Sequence, residues 1–325
     1  MSKLISIIIV NYNGKKWLKK LFDSLLSQTY QDFEIVFVDN ASNDDSIRFI
    51  KNNYKDEKIK IVKNLNNLGF ASGNNLGINN CSGEYILLLN NDTWVENDFL
   101  EKILVFYVNN NFSVIAPYSK DYENKKEFKK YFATIDFLGH PVYFKNKKVE
   151  DFYLSGVCLF FEKKLYKDTL GLDNNFFMYY EETDWFWRLN LLEKNFSHID
   201  NVFVYHAGSG TTGNGIKYLS FLWRNQNSLQ MLLKNYKLCN LLWIIPIYLI
   251  QNIFEIIFFL LIFKPKISLS YIEGWIFNIK NLPKILKKRK WVQEKRKITD
   301  LQIMKKMYIG FGKLYHLRVF LKNLW

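Results

Sequence analysis

Leu87-Leu88-Leu89-Asn90-Asn91-Asp92-Thr93 is an apolar run that breaks abruptly into two amides and an acid. A run without polar alternation fits a strand buried on both faces. Such a strand delivers Asn90, Asn91 and Asp92 to the carboxyl edge of a sheet, where open α/β folds bind ligands. A carboxylate there suits a divalent cation held against phosphate oxygens, since hard cations take oxygen ligands. The same residues also suit an ordinary turn, in which Asn and Asp bond the nearby backbone. The flanking chain bears on the choice.

Upstream, Leu4–Val10 reads as a buried strand that stops at Asn11-Tyr12-Asn13-Gly14. Lys15–Ser27 carries Trp17, Leu18, Leu21, Phe22, Leu25 and Leu26 at helical spacing. Phe33–Val38 is a second strand, stopping at Asp39, and Asp44–Asn53 reads as a helix with acids in its first turn. Ile59–Lys63 is a short third strand, and Phe70–Asn80 a helix rich in Gly and Asn. Strands alternating with helices predict right-handed βαβ units and a mostly parallel sheet. Asn11, Asp39 and Asn90 then end strands on one edge, forming a polar rim suited to a base, a ribose and phosphates. No GxGxxG or GxxxxGK[ST] follows the first strand, which argues against dinucleotide and P-loop binding. Gly69, Gly73 and Gly77 are spaced for close backbone approach.

Downstream, a helix is expected at Glu101–Asn109 and a strand at Ser113–Pro117, with Lys120–Lys148 a loop or hairpin region. Phe152–Phe161 reads as a strand with a tight approach at Gly156. A helix is expected from Glu181 through Arg188 to Asn195, then a short strand at Val202–Tyr205 and a loop over Ala207–Gly215. The aromatic run Phe176–Tyr180 precedes Glu181, Glu182 and Asp184, and desolvation beside it suits a general base near neutrality. Those acids equally complement the positive end of a helix dipole. His206 would offer a nitrogen beside the Asp92 oxygen, a pair suited to Mn²⁺ or a similar ion. A hydrogen-bonded structural histidine is the plainer alternative.

The chain has 325 residues, enough for a large domain and an appendage. With 49% hydrophobic and 23% charged residues, a packed core is expected rather than disorder. The net charge of +14 points to anionic partners such as nucleotides, phospholipids or nucleic acid. Cys81, Cys158 and Cys239 are scattered without metal-ligand spacing, as in a reducing compartment. The apolar start, Leu4–Val10, lacks a cleavage site, so it reads as a strand in a cytoplasmic protein.

Val10-Asn11-Tyr12-Asn13-Gly14, Val38-Asp39-Asn40-Ala41-Ser42-Asn43, Asn67–Asn75 and Leu89-Asn90-Asn91-Asp92-Thr93 resemble the motifs of family-2 glycosyltransferases of the GT-A fold. Ser155-Gly156-Val157, Phe176–Asp184 with Arg188, and His206 continue the pattern in the same order. Arg224-Asn225 is similar to an element of the branch that contains bacterial rhamnosyltransferases. The resemblance implies an α/β, Rossmann-like GT-A domain over residues 1–215, a nucleotide-diphosphate sugar donor, a divalent cation (Mn²⁺ or Mg²⁺) and inversion at the sugar's anomeric carbon. It implies donor binding by Val10, Asn11, Tyr12, Asp39, Asn67, Gly69, Gly73, Asn90, Asn91 and Asp92. Asp92 and His206 would hold the metal, Glu182 would be the catalytic base, and Glu181, Asp184 and Arg188 would shape the acceptor pocket. Asn90 stands where the family's DxD motif has its first acid.

Beyond Arg224 the composition changes. Leu238–Phe263 is almost wholly apolar and approaches the length of a bilayer span, but Pro246 interrupts it. Tyr248, Gln251, Asn252 and Glu255 share one helical face, and an acid at mid-bilayer costs roughly 2.5–3.5 kcal/mol. Nine basic residues, from Lys280 to Lys297, follow with Glu294 alone opposing them. Residues 216–325 are therefore expected to form a helical region lying on the anionic cytoplasmic face of a membrane. A true span and a soluble, oligomer-forming helical domain are the alternatives. A surface location suits a glycan acceptor on a polyprenyl diphosphate. A polyprenyl-phosphate sugar transferase would share the nucleotide pocket without needing a strong base. A nucleic-acid-binding protein fits the charge, but no DNA or RNA module signature appears, so nucleic acid is not an expected partner.

Overall fold

The computed structural model describes residues 3–122, 131–144, 150–208 and 217–322. In chain order the elements are β1 (Ile5–Asn11), α1 (Lys15–Leu26), β2 (Phe33–Asp39), α2 (Ser46–Asn53), β3 (Ile59–Lys63) and α3 (Gly69–Asn79). Then come β4 (Tyr85–Leu89), β5 (Thr93–Val95), α4 (Phe99–Asn109), β6 (Val114–Asp121), β7 (Phe132–Ile135), β8 (Pro141–Phe144), β9 (Cys158–Glu162) and α5 (Lys163–Asp168). The remainder is α6 (Glu181–Leu191), β10 (Phe196–His206), α7 (Tyr218–Asn235), α8 (Leu238–Leu261), α9 (Pro265–Lys280), α10 (Leu282–Lys295), α11 (Asp300–Met304) and α12 (Gly312–Lys322). They belong to two compact units interleaved in sequence. One comprises residues 1–130, 154–177 and 194–214, the other residues 131–153, 178–193 and 215–325.

The first unit is built on an eight-stranded sheet in the order β3-β2-β1-β4-β9-β6-β10-β5. The β3-β2-β1-β4 half is parallel, as the alternation of strands and helices predicts. β9 is antiparallel to both β4 and β6, and β5 is antiparallel to β10. Period-2 alternation sends Ile5, Ile7 and Ile9 into one buried layer with Leu18, Leu21 and Phe22 of α1 and with Phe99, Leu100 and Ile103 of α4. Burial of side chains of this size is worth about 1.5–3 kcal/mol each, so this layer sets the sheet's register. On the opposite face α3 lies close because it is short of side chains. A Cβ on Gly77 would sit 2.3 Å from Ile8 Cγ2, and one on Gly73 2.7 Å from Val10 Cγ1.

Some sequence expectations shift. The strand expected over Phe152–Phe161 is confined to Cys158–Glu162, and the helix expected to reach Asn195 ends at Leu191, with Glu193 left-handed at φ 54°. The second helix starts at Ser46 because Asp45 is left-handed. Asp44 stays outside it and accepts from Ser46 N at 3.1 Å and from Lys15 N at 2.8 Å. Within Lys120–Lys148, β7 and β8 form an antiparallel hairpin, while residues 123–130 and 145–148 lie outside the described residues. Of the loop expected over Ala207–Gly215, residues 209–215 also lie outside them.

The second unit combines the β7–β8 hairpin with α6 and α7–α12. Its long helix α8 is turned inside out. Tyr248 and Asn252 are buried, and Glu255 meets Lys313 of α12 at 2.7 and 2.8 Å. Leu242, Ile250, Phe254, Ile257, Phe258 and Leu261 face outward. α8 is long and apolar enough to cross a membrane, with a mean hydropathy of 2.1, and 22% of its most apolar window is buried.

Candidate active site

In the first unit the carboxyl ends of β1, β2, β4 and β10 share one edge, since β1 runs parallel to β2 and β4, and two antiparallel steps through β9 bring β6 and β10 into the same sense. Asn11 and Asp39 are register partners at the ends of β1 and β2. Asn11 Nδ2 donates to Asp39 Oδ1 (3.3 Å) and Ser42 Oγ (3.1 Å), and Asn91 Nδ2 donates to Asn11 Oδ1 (2.7 Å). Gly14 leaves room for this chain, because a Cβ there would lie 2.2 Å from Asn91 Nδ2. Three residues from separate motifs are thereby joined in one hydrogen-bonded row.

A second row lies beside it. Asn64 Nδ2 donates to Asn40 Oδ1 (2.6 Å), Asn40 Nδ2 to Gly69 O (2.9 Å), and Gly69 N to Asn67 Oδ1 (2.9 Å). Gly69 has φ +79°, and a Cβ on it would sit 2.3 Å from Phe177 O, so glycine is demanded twice over. Val10 is half-buried against Gly73, while Tyr12 is exposed. Asn40 and Asn64 were not singled out from sequence. An Asn directly after a strand-ending Asp was the available signal for Asn40, whereas nothing marked Asn64.

Asp92 and His206 meet. β5 and β10 place Thr93 opposite His206, Ala207 N donates to Asp92 O (3.1 Å), and His206 Nε2 lies 3.2 Å from Asp92 Oδ1. One oxygen and one nitrogen donor thus converge at the sheet edge. Among the described residues no group of three His, Cys, Asp or Glu gathers. Two protein ligands fit a Mg²⁺-like or Mn²⁺ site that takes its other ligands from water and substrate phosphates. Asn90 donates its backbone N to Val157 O (3.0 Å), and its carbonyl accepts from Thr93 Oγ1 (2.6 Å).

The acidic constellation lies in the second unit. Tyr179 and Tyr180 are both left-handed, with φ of 72° and 67°, immediately before α6. Such backbone costs of order 1–3 kcal/mol per residue and needs external support. Asn227 of α7 supplies it, donating Nδ2 to Met178 O (2.9 Å) and Tyr179 O (2.7 Å). The turn aims Glu181 and Glu182 into a setting that also contains Tyr143 and Tyr153, both within electrostatic reach of Glu182. Burial, and then the charge of Glu182, lift the Glu181 carboxyl well above its ordinary range. Burial also lifts Glu182, opposed by backbone N–H bonds to its carboxylate. A carboxylate raised in this way has the basicity that proton abstraction requires.

Asp184 and Arg188 are placed differently. Asp184 is fully buried, with Lys234 Nζ at 2.9 Å, Arg188 Nη2 at 3.1 Å and Asn235 Nδ2 at 3.1 Å. They form a charge cluster between α6 and α7. Nothing in the sequence around Tyr143, Tyr153 or Asn227 marked them for the site; a search for residues able to bond a helix start would have raised Asn227.

An eight-stranded, mostly parallel sheet whose carboxyl edge carries this row of amides and acids, flanked by helices, is the GT-A fold. Residues 6–170 match the family described as Glycosyl transferase family 2. The chain belongs to that family. Over 99 residues it is 35% identical to the glycosyltransferase GlyA of Streptococcus pneumoniae, a match covering 30% of this chain and 14% of that protein. An uncharacterized glycosyltransferase of Haemophilus influenzae is 38% identical over 109 residues, covering 33% and 44% of the two chains. The chain therefore matches less than half the length of these relatives. Among solved structures, Staphylococcus aureus TarS 1–349 in complex with UDP-GlcNAc superposes with a TM-score of 0.52 at 19% identity, covering 72% of this chain and 67% of that one. GalNAc-T7 with UDP, GalNAc and Mn²⁺ superposes with a TM-score of 0.58 at 14% identity, covering 70% and 47%. At these identities the likeness is one of fold.

Proposed function

We propose that the protein is an inverting glycosyltransferase that moves a sugar from a nucleoside-diphosphate donor to a hydroxyl of a glycan acceptor. The observation that carries this reading is the meeting of Asp92 with His206 on the same sheet edge as the Asn11–Asp39–Asn91 row. Asp39 and the Asn67–Gly69 turn line the nucleoside side, and Asn90, Asn91 and Asp92 the diphosphate side. Asp92 and His206 hold a divalent cation. When bound, that ion supplies charge neutralisation for the departing diphosphate.

Glu182 takes the proton of the acceptor hydroxyl as that oxygen attacks C1 of the sugar from the face opposite the leaving group. General-base help of this kind is typically worth about 10²–10⁴-fold. A single displacement of this sort inverts the anomeric centre. A base also favours a hydroxyl acceptor over a polyprenyl phosphate, which attacks as an anion and needs none.

Residues 216–325 act as a membrane-associating region, and the acceptor is a glycan on a polyprenyl diphosphate at an anionic cytoplasmic surface. Support comes from the outward apolar face of α8 and from Lys284, Lys287, Lys288 and Lys290 on α10. The solved relatives hold UDP and UDP-GlcNAc, while Arg224-Asn225 points to dTDP-rhamnose. A donor panel containing both classes, with Mn²⁺ or a chelator and a lipid-linked acceptor, should show metal-dependent release of nucleoside diphosphate from at least one donor. Release no faster than a protein-free blank from every donor would overturn the reading. Glu182→Gln should lose turnover while still binding donor.

A further inference from the structure

The first turn of α6 holds two consecutive carboxyl groups, and the reaction uses one of them as its base. Glu181 is 6% exposed, and its Oε2 is enclosed without a hydrogen-bond partner. Among the described residues no cation pairs with it. On its own helix Arg188 bonds Asp184, and on α7 Lys234 does the same, while Arg224 is exposed and lies 4.5 Å from the centre of the Tyr179 ring. The other titratable groups nearby are the Tyr143 hydroxyl of β8, Tyr153 and Tyr180. An ionised carboxylate in such surroundings is strongly disfavoured, and a second negative charge alongside it compounds the penalty.

We propose that Glu181 is held as a neutral carboxylic acid whose O–H donates to the Glu182 carboxylate, so that the pair holds one proton and Glu181 positions the base. The proposal rests on the reading of Glu182 as base. Its electrostatics agree in order as well as direction. Burial raises both groups and backbone N–H bonds restrain both, but the charge of Glu182 adds to the rise of Glu181 alone, so Glu181 is the last of the two to ionise. In the reaction the acceptor O–H bond breaks and its proton passes to Glu182. The oxygen–C1 bond forms while the C1–phosphate oxygen bond breaks, its electron pair leaving with the diphosphate. Glu181 keeps its proton throughout.

A pair sharing one proton is competent only between its two ionisations, so kcat/KM should rise as the first proton leaves and fall as the second leaves. Glu181→Ala should lower kcat by about tenfold or more with little change in donor KM. Glu181→Gln keeps a neutral donor that cannot ionise. It should recover most of the turnover that Glu181→Ala loses and should remove the alkaline limb of the profile. Activity is not the only readout. Infrared spectra of the full-length protein carrying ¹³C-carboxyl glutamate should show a protonated-carboxyl stretch at neutral pH in wild type and in Glu182→Gln, absent in Glu181→Gln. A wild-type spectrum without that band, or an alkaline limb unchanged in Glu181→Gln, overturns the proposal. Failure of the base reading would show separately, as wild-type turnover in Glu182→Gln.

Discussion

The Lys313 ammonium of α12 lies 2.7 and 2.8 Å from the two carboxylate oxygens of Glu255, the acid carried by the apolar helix α8. Tyr271 donates its hydroxyl to the same carboxylate, and Gln251 Nε2 lies 2.9 Å from it. Burial pushes Glu255 upward, but Lys313 and these hydrogen bonds outweigh it and hold the carboxyl below its ordinary range. Lys313→Met should therefore destabilise the protein by about 1–3 kcal/mol in denaturant unfolding at neutral pH. The sign of the pH dependence follows. The folded value is the lower one, so the stabilisation is present above the ordinary carboxylate range and is lost as pH falls through the folded value. The penalty of Lys313→Met should shrink on acidification; a penalty that grows instead would contradict this role for Glu255.

With its polar side bound inward, α8 presents an apolar surface outward. Leu261 is 71% and Phe263 89% exposed, at the turn just before Lys264 and Lys266. Inserting such a side chain into lipid is worth about 1.5–3 kcal/mol, and each 1.4 kcal/mol is tenfold in partitioning. The double variant Leu261→Ser, Phe263→Ser should bind anionic vesicles at least about tenfold more weakly in sedimentation, with unchanged thermal unfolding. Binding by the wild type should also weaken with added salt, because the flanking lysines act through screened charge. Vesicle binding indifferent to both the substitutions and salt would remove the membrane assignment.

The amino-terminal sheet was legible because its strands are apolar runs that stop at Asn11, Asp39 and Asn90, a pattern set by burial on both faces. β5 was not, since three residues, Thr93–Val95, carry no periodicity. The Asn11–Asp39–Asn91 row was legible as residue types but not as a hydrogen-bonded chain, which depends on Gly14 admitting Asn91. In the helical part, Glu255 looked expensive in sequence because its partner Lys313 stands 58 residues away. Asp184 looked like a pocket residue for a similar reason, with Lys234 and Asn235 converging on it from 50 and 51 residues away. Local sequence records which groups need partners, but long-range packing decides which partners they find.

Asn227 supplies a test of how the turn before α6 is held. Its amide bonds the carbonyls of Met178 and Tyr179, and two left-handed tyrosines depend on that support. Asn227→Leu removes both bonds at similar volume and takes the partner from two part-buried carbonyls, at a cost of about 1–3 kcal/mol in stability. If the turn aims Glu182, kcat should fall by about tenfold or more while donor KM stays nearly constant, because a misplaced base affects the reacting state more than donor binding. A fall in stability with no change in kcat would restrict Asn227 to a structural role.

Asp92 decides whether the sheet edge is a metal site at all. Its side chain is almost fully buried and meets His206 at 3.2 Å, so both donors are already poised toward each other. Asn90 brings a neutral amide where a second acid would stand, leaving Asp92 as the carboxylate of the Asn90-Asn91-Asp92 run. In the proposed site, removing Asp92 takes away a negative charge that would anchor the ion, whereas removing His206 takes away a nitrogen donor. Asp92→Ala should lower metal-dependent turnover by about 10²–10³-fold, and His206→Asn should do so less severely. Mn²⁺ titration in the presence of nucleoside diphosphate, followed by the electron spin resonance of the free ion, should show weakened binding in both variants. Neither change touches the packed layer around Ile7 and Phe22, so thermal unfolding should stay within about 1 kcal/mol of wild type. Near-normal turnover and Mn²⁺ binding in Asp92→Ala would show that the ion, and with it the leaving-group side of the reaction, is held elsewhere.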